Sequence, residues 1–131
     1  MRWWALACIG FLLLCVPARA HHSFGDIYLE SDSIEIEGVI VEFQYKNPHS
    51  WIHVAAQDTF GREKIYSAEW VSTSQLEREN ITRTTLREGD RVRIWGAPAR
   101  AFNDNRIHLK RMQRSDGWQW RGRGNAPRQE R

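Results

Sequence analysis

Five histidines carry most of the chemistry this chain can offer: His21, His22, His49, His53 and His108. Two of them are adjacent in the stretch "ARAHHSFGDI", directly behind the small-x-small triplet Ala18-Arg19-Ala20. A cut after Ala20 makes His21 the N-terminal residue, which then offers one ion two nitrogens, its amine and its ring Nδ1. The reference pKa values are about 7.7–8.0 for the amine and about 6.5 for the ring, so both lose their protons near neutrality at modest cost. One further imidazole completes a T-shaped three-nitrogen site, which suits copper rather than oxygen-seeking magnesium or calcium. His22, His49 and His53 are the candidate third ligands. His49 and His53 are not expected to share an ion on a straight strand, because four residues span about 13 Å. His108, between Ile107 and Leu109, reads as the outward residue of an edge strand. There is no Ser/His/Asp spacing signature, no phosphate loop and no close pair of apolar-flanked carboxylates. No catalytic or organic-cofactor residue is therefore expected, and the pattern points to binding rather than catalysis.

That chemistry depends on the leader. Arg2 precedes an apolar run from Ala5 to Val16, then Pro17 and the Ala18-Arg19-Ala20 triplet. This is the order of a cleaved signal peptide. A dozen apolar residues fall short of the ~20 needed to span a bilayer, which argues against a retained anchor. Leu14 is bulky where a lipoprotein signal would carry a small residue before Cys15. The expected mature protein starts at His21, is periplasmic or secreted, and keeps no transmembrane segment. Both cysteines, Cys8 and Cys15, leave with the leader, so the mature domain must hold together by its core alone.

Removing Arg2 and Arg19 leaves 17 basic against 16 acidic residues, a net charge of +1. The charges are segregated: residues 21–80 sum to −7 and residues 81–131 to +8. Residues 21–112 have the length of one domain with one core, and residues 113–131 read as a flexible tail rich in Arg, Gly and Trp. Its Trp118 and Trp120 are expected to fold back on the barrel wall; the alternative is a ligand-binding arm, since arginine beside stacked indoles would suit single-stranded nucleic acid in a cytosolic protein. Export removes that partner, leaving an acidic polymer, a glycan or a membrane headgroup as the expected contact of such an arm.

The elements that must position the histidines are strands. "SIEIEGVIVEFQYKNP" alternates, with Ile34 and Ile36 on even positions and Val39, Val41, Phe43 and Tyr45 on odd ones. A parity change at Gly38 predicts a strand that bulges and bends there. "SWIHVAAQD" and "REKIYSAEW" follow as a hairpin around Asp58–Gly61, with His53 and Trp51 facing outward. Ser72 or Thr73 caps a short helix reaching Glu79, with Leu76 inward. Gly89-Asp90 turns into "RVRIWG", and "NRIHLKRM" is the fifth strand. Three strands, a helix and two strands is the order of an all-β, OB-like five-stranded barrel, with a small open sandwich as the alternative. The expected core is Val39, Val41, Phe43, Ile52, Val54, Val92, Ile94, Ile107 and Leu109.

The stretches "HHSF", "VIVEFQYKNPHSWIHV" and "LREGDRVRIWGAP" resemble a family of small secreted bacterial proteins classed only as a domain of unknown function. The resemblance covers most of residues 21–112 and implies secretion and a compact β fold, with no established activity. A looser similarity, confined to the terminal histidine, is to periplasmic copper carriers and copper oxygenases that begin with that residue.

Three readings follow. The first is an exported copper-binding protein using His21 with His22, His49 or His53. The second is a metal-free binding module in which Tyr45, Trp51 and Trp95 hold a peptide, a glycan or a periplasmic protein partner. The third is a copper enzyme with a histidine brace. That last reading lacks any visible second shell or place for a substrate.

Overall fold

The computed structural model describes residues 23–123. His21, His22 and the expected leader lie outside the described residues, as does the end of the chain from Gly124.

Alternating apolar residues produce the strands, and glycines let them bend. A short helix α1 (Phe24–Ile27) precedes β1 (Ile34–Gln44), β2 (Trp51–Gln57) and β3 (Glu63–Glu69). Helix α2 (Thr73–Glu77) then leads to β4 (Arg91–Pro98), β5 (Arg106–Arg114) and β6 (Gln119–Arg121). The sheet runs in the order β3-β2-β1-β4-β5-β6, and a parallel β3–β5 pairing closes the first five strands into a barrel. The closing register sets Ser67 against Arg106, Ala68 against Ile107 and Glu69 against His108. This is the OB-like barrel that the strand and helix order implies.

The first strand corrects the expected parity. Ile40 is fully buried, whereas Val41 is 37% exposed and Val39 only half-buried. The register shifts between Ile40 and Glu42, so the bulge lies at Val41 and not at Gly38. Even positions stay inward through Ile40, and the inward parity passes to Phe43 only after the bulge. Gly38 occupies an inward position with no side chain. A Cβ there would stand 2.2 Å from the carbonyl oxygen of Ala55 and 2.8 Å from Val54 Cγ1. The glycine is thus where β1 bends against β2, and its missing side chain mimics a change of parity. Ile40→Ala is expected to cost about 2–5 kcal/mol, and Val41→Ala within about 1 kcal/mol. Equal losses in urea denaturation would return the bulge to Gly38.

Ile52, Val54, Val92, Ile94, Ile107 and Leu109 are buried as expected, and Phe43 packs against the core from its edge. Trp70, Leu76 and Trp120 join them. Helix α2 starts at the Ser72 cap, where Gln75 Oε1 accepts from the Ser72 amide at 3.3 Å, and Leu76 points inward. The Asp58 turn forms as expected: Asp58 Oδ1 accepts from the amides of Phe60 (2.8 Å) and Arg62 (3.0 Å).

The expected tail boundary at Gln113 falls inside β5, and residues 119–121 form a sixth strand on that strand's edge. Trp120 is 6% exposed and packs edge-on against Trp70, with ring centroids 5.1 Å apart. A non-local partner, 50 positions away in the chain, decides its burial. Among the described residues no helix is long and apolar enough to cross a membrane.

Candidate functional site

The segment that follows His21 and His22 is pinned to the barrel by its backbone. Leu29 N donates to Pro98 O (2.9 Å), Arg100 N donates to Ile27 O (2.9 Å), and Tyr28 bridges Ala99. Arg100 Nε also donates to Gly25 O at 2.7 Å. These bonds hold Phe24, Tyr28 and Glu30 over the outer side of the seam where β3 meets β5. Glu69 and His108 face that side because their register neighbours Ala68 and Ile107 fill the core.

Glu69 is the centre of the cluster. It is 8% exposed, and its two oxygens take two donors. Tyr28 Oη donates to Oε2 at 2.5 Å, and His49 Nδ1 lies 2.6 Å from Oε1. A carboxylate only accepts, so His49 donates from Nδ1 to Glu69, and Nε2 is the ring nitrogen that this bond does not use. Burial, and then the hydrogen bond to Glu69, push the Tyr28 phenol far above its ordinary range. Tyr28 therefore stays a hydroxyl donor.

His108 is held differently. Its Nδ1 lies 2.7 Å from Glu30 Oε1 and 2.9 Å from Lys110 Nζ, while Lys110 also meets Glu30 Oε2 at 2.5 Å. With a carboxylate and an ammonium both at Nδ1, neither tautomer is selected. Burial pushes the ring's pKa below its ordinary value and the Lys110 charge adds to this, against the pull of Glu30. The ring is neutral near pH 7. Burial works against ionised Glu30, but hydrogen bonds from Lys110 and His108 hold its carboxyl below the usual range.

Phe24 joins the two histidines. Its ring stacks on His108 with centroids 3.9 Å apart and planes within 6°, and lies 5.3 Å from His49. The structure thus brings His49 and His108 to the same segment, each in contact with one aromatic ring. His53 engages other partners: Nδ1 meets Ser67 Oγ at 2.9 Å and Nε2 lies 3.8 Å from Glu42. It shares no hydrogen bond or ring contact with His49 among the described residues. No group of three or more His, Cys, Asp or Glu side chains is placed to hold a metal among the described residues. A site there needs a donor from residues 21 and 22, which lie outside them.

Trp95 is not brought together with Tyr45 and Trp51. Tyr45 Oη donates to Glu77 Oε1 (3.0 Å), and Arg83 sits 5.4 Å over its ring. Trp95 donates to Glu35 (2.7 Å) under Arg111. Along β1, Trp51 pairs with Gln44 and Trp95 with Glu35, a separation of about 30 Å of strand.

Sequence reasoning missed Phe24, Tyr28, Glu30 and Glu69 as members of this cluster, and assigned His108 to an edge. His108 does face outward, but β5 is paired with β3, β4 and β6. A weak signal existed at Glu69: an acid between Ala68 and Trp70 at a strand's end faces away from the core. Tyr28 carried none.

Residues 10–108 match the family model DUF6152, described as a family of unknown function. No curated protein matches the chain. Among solved structures the chain is similar to the mitochondrial single-stranded DNA-binding protein Rim1 of S. cerevisiae, with 19% identity. That likeness covers 64% of this chain and 93% of that one at a TM-score of 0.47, too low to bear on function.

Proposed function

This chain belongs to DUF6152, a family of unknown function, and we propose that it is an exported copper-binding barrel loaded at the terminus that cleavage after Ala20 creates. The observation that carries the proposal is the docking of Phe24 against His49 and His108. His22 and Ser23 alone separate His21 from Phe24, three chain steps with a reach of at most about 10 Å. That reach would let His21 meet an imidazole that is already oriented. His49 is the partner in this reading, since its Nδ1 is tied to Glu69 and its Nε2 is left to bind. A carboxylate behind the far nitrogen is the usual support of a metal-ligating histidine. The His21 amine, its Nδ1 and His49 Nε2 would supply three nitrogens, a donor set that favours copper(II). His22 is the alternative third donor. His53 is the weaker candidate, being committed to Ser67 and Glu42.

Copper(II) titration calorimetry on protein beginning at His21 tests this. His49→Ala is expected to weaken binding at least tenfold, and Glu69→Gln by a similar factor through loss of ring orientation. His53→Ala should leave affinity within about twofold. Equal affinities across all three variants would remove His49 from the site.

A further inference from the structure

A cleft of about 300 Å³ opens beside α2 and runs along β5 and the chain just after β6. Its apolar wall includes Leu109 and Trp120, both buried. Three cationic side chains line it, Arg78, Lys110 and Arg123, against one carboxylate, Glu79. Glu79 Oε2 already accepts from Trp120 Nε1 at 2.8 Å, and Lys110 is engaged by Glu30. Arg78 and Arg123 are exposed and make no ion pair among the described residues.

We propose that this cleft binds a small organic anion. Its apolar or aromatic body would lie on half-buried Val71 and the accessible edges of Leu109 and Trp120, and its carboxylate or phosphate head would be held by Arg78 and Arg123. The size suits one ring and one head group, at the small end of ligand pockets. Guanidinium groups are matched to such heads because their planar forks give two parallel charge-assisted hydrogen bonds. A cation would meet the Arg78 and Arg123 guanidinium groups against the single lining carboxylate of Glu79, with Lys110 already paired to Glu30. His108 lines the cleft and also stacks on Phe24, but the anion is held by Arg78 and Arg123 and not by His21 or His49, so either proposal can fail alone.

NMR titration of the full chain tests it with three probes: phenylphosphate, phenylacetate and benzylamine. The expected result is a saturable shift of the Trp120 indole N–H and the Gly122 amide with one or both anions, the tighter one naming the head group. Benzylamine, carrying a ring with the opposite charge, should give no saturable shift. An R78Q/R123Q double variant should bind the anion at least tenfold more weakly; both positions are exposed, so the fold is unaffected. Three results would each overturn the proposal. They are benzylamine binding as well as the anions, unchanged affinity in the double variant, and no saturable shift up to roughly 10 mM of either anion.

Discussion

Ending the chain at Arg114 is expected to abolish cooperative folding, and Trp120→Ala alone to lower stability by about 3–5 kcal/mol. A domain of this size has only about 5–15 kcal/mol to lose. Trp120 is 6% exposed, and its ring closes over Trp70, the largest fully buried side chain. Removing it leaves a cavity beside Trp70 and Met112, and takes the indole donor from Glu79. Truncation also strips the β6 pairing from Arg111, Met112 and Gln113. Trp118 is the internal control. It is half-buried, its ring lies 5.5 Å from the Arg114 guanidinium, and its loss should cost about 1 kcal/mol. Urea denaturation followed by circular dichroism separates the two. Should Trp120→Ala keep the midpoint of the unsubstituted protein, the sixth strand is dispensable and the core ends at Met112.

The contrast between the first five strands and the sixth shows what a sequence makes legible. Ile52/Val54, Val92/Ile94 and Ile107/Leu109 alternate over enough residues to fix a face, and all six are buried. The Asp58 turn and the Ser72 cap are local chemistry, and both appear where their residues predict. In β6 only Gln119, Trp120 and Arg121 pair, too few for a period, and the surrounding arginines and glycines look like a solvated tail. Gly38 misled for the opposite reason. A residue without a side chain interrupts an alternation as convincingly as a real bulge does, and only the pairing of Ile40 with Val54 shows where the extra residue sits.

The candidate site was legible in its histidines and not in its frame. The histidines, and the expected cleavage site in front of the first two, are visible in any reading of the chain. The bond from Tyr28 to Glu69 joins residues 41 positions apart, and that from His108 to Glu30 joins residues 78 apart. Such pairs are set by barrel closure, which no local pattern encodes. The same closure turns His108 from a surface residue of an edge into a half-buried ring under Phe24. It also explains why the residues after the histidine pair are held at all: Ser23–Glu30 has no sheet of its own and is ordered by Pro98, Arg100 and the seam.

Blocking the amine of His21 by acetylation should weaken copper(II) binding by roughly a hundredfold, a loss of about 2.7 kcal/mol. Acetylation keeps every imidazole, every strand and the Phe24 contacts, and converts only the terminal amine into an amide that cannot donate a lone pair at neutral pH. If the site is the terminal chelate, that one change breaks its five-atom link between amine and ring and leaves isolated imidazoles. Before leader cleavage the same nitrogen is already an amide, so the unprocessed chain should behave like the acetylated protein. Proton competition sets the direction of the pH dependence. The free amine and the imidazoles bind copper only when deprotonated, so affinity should begin to fall below about pH 8, where the amine takes up its proton, and more steeply below about pH 6.5, where histidine does. Calorimetry on the free and acetylated proteins, at two pH values, reads both effects. An acetylated protein that binds copper as tightly as the free one would show that the terminus is not a ligand. Phe24 would then be a hydrophobic latch for the seam, and the metal-free binding module would be the reading that stands.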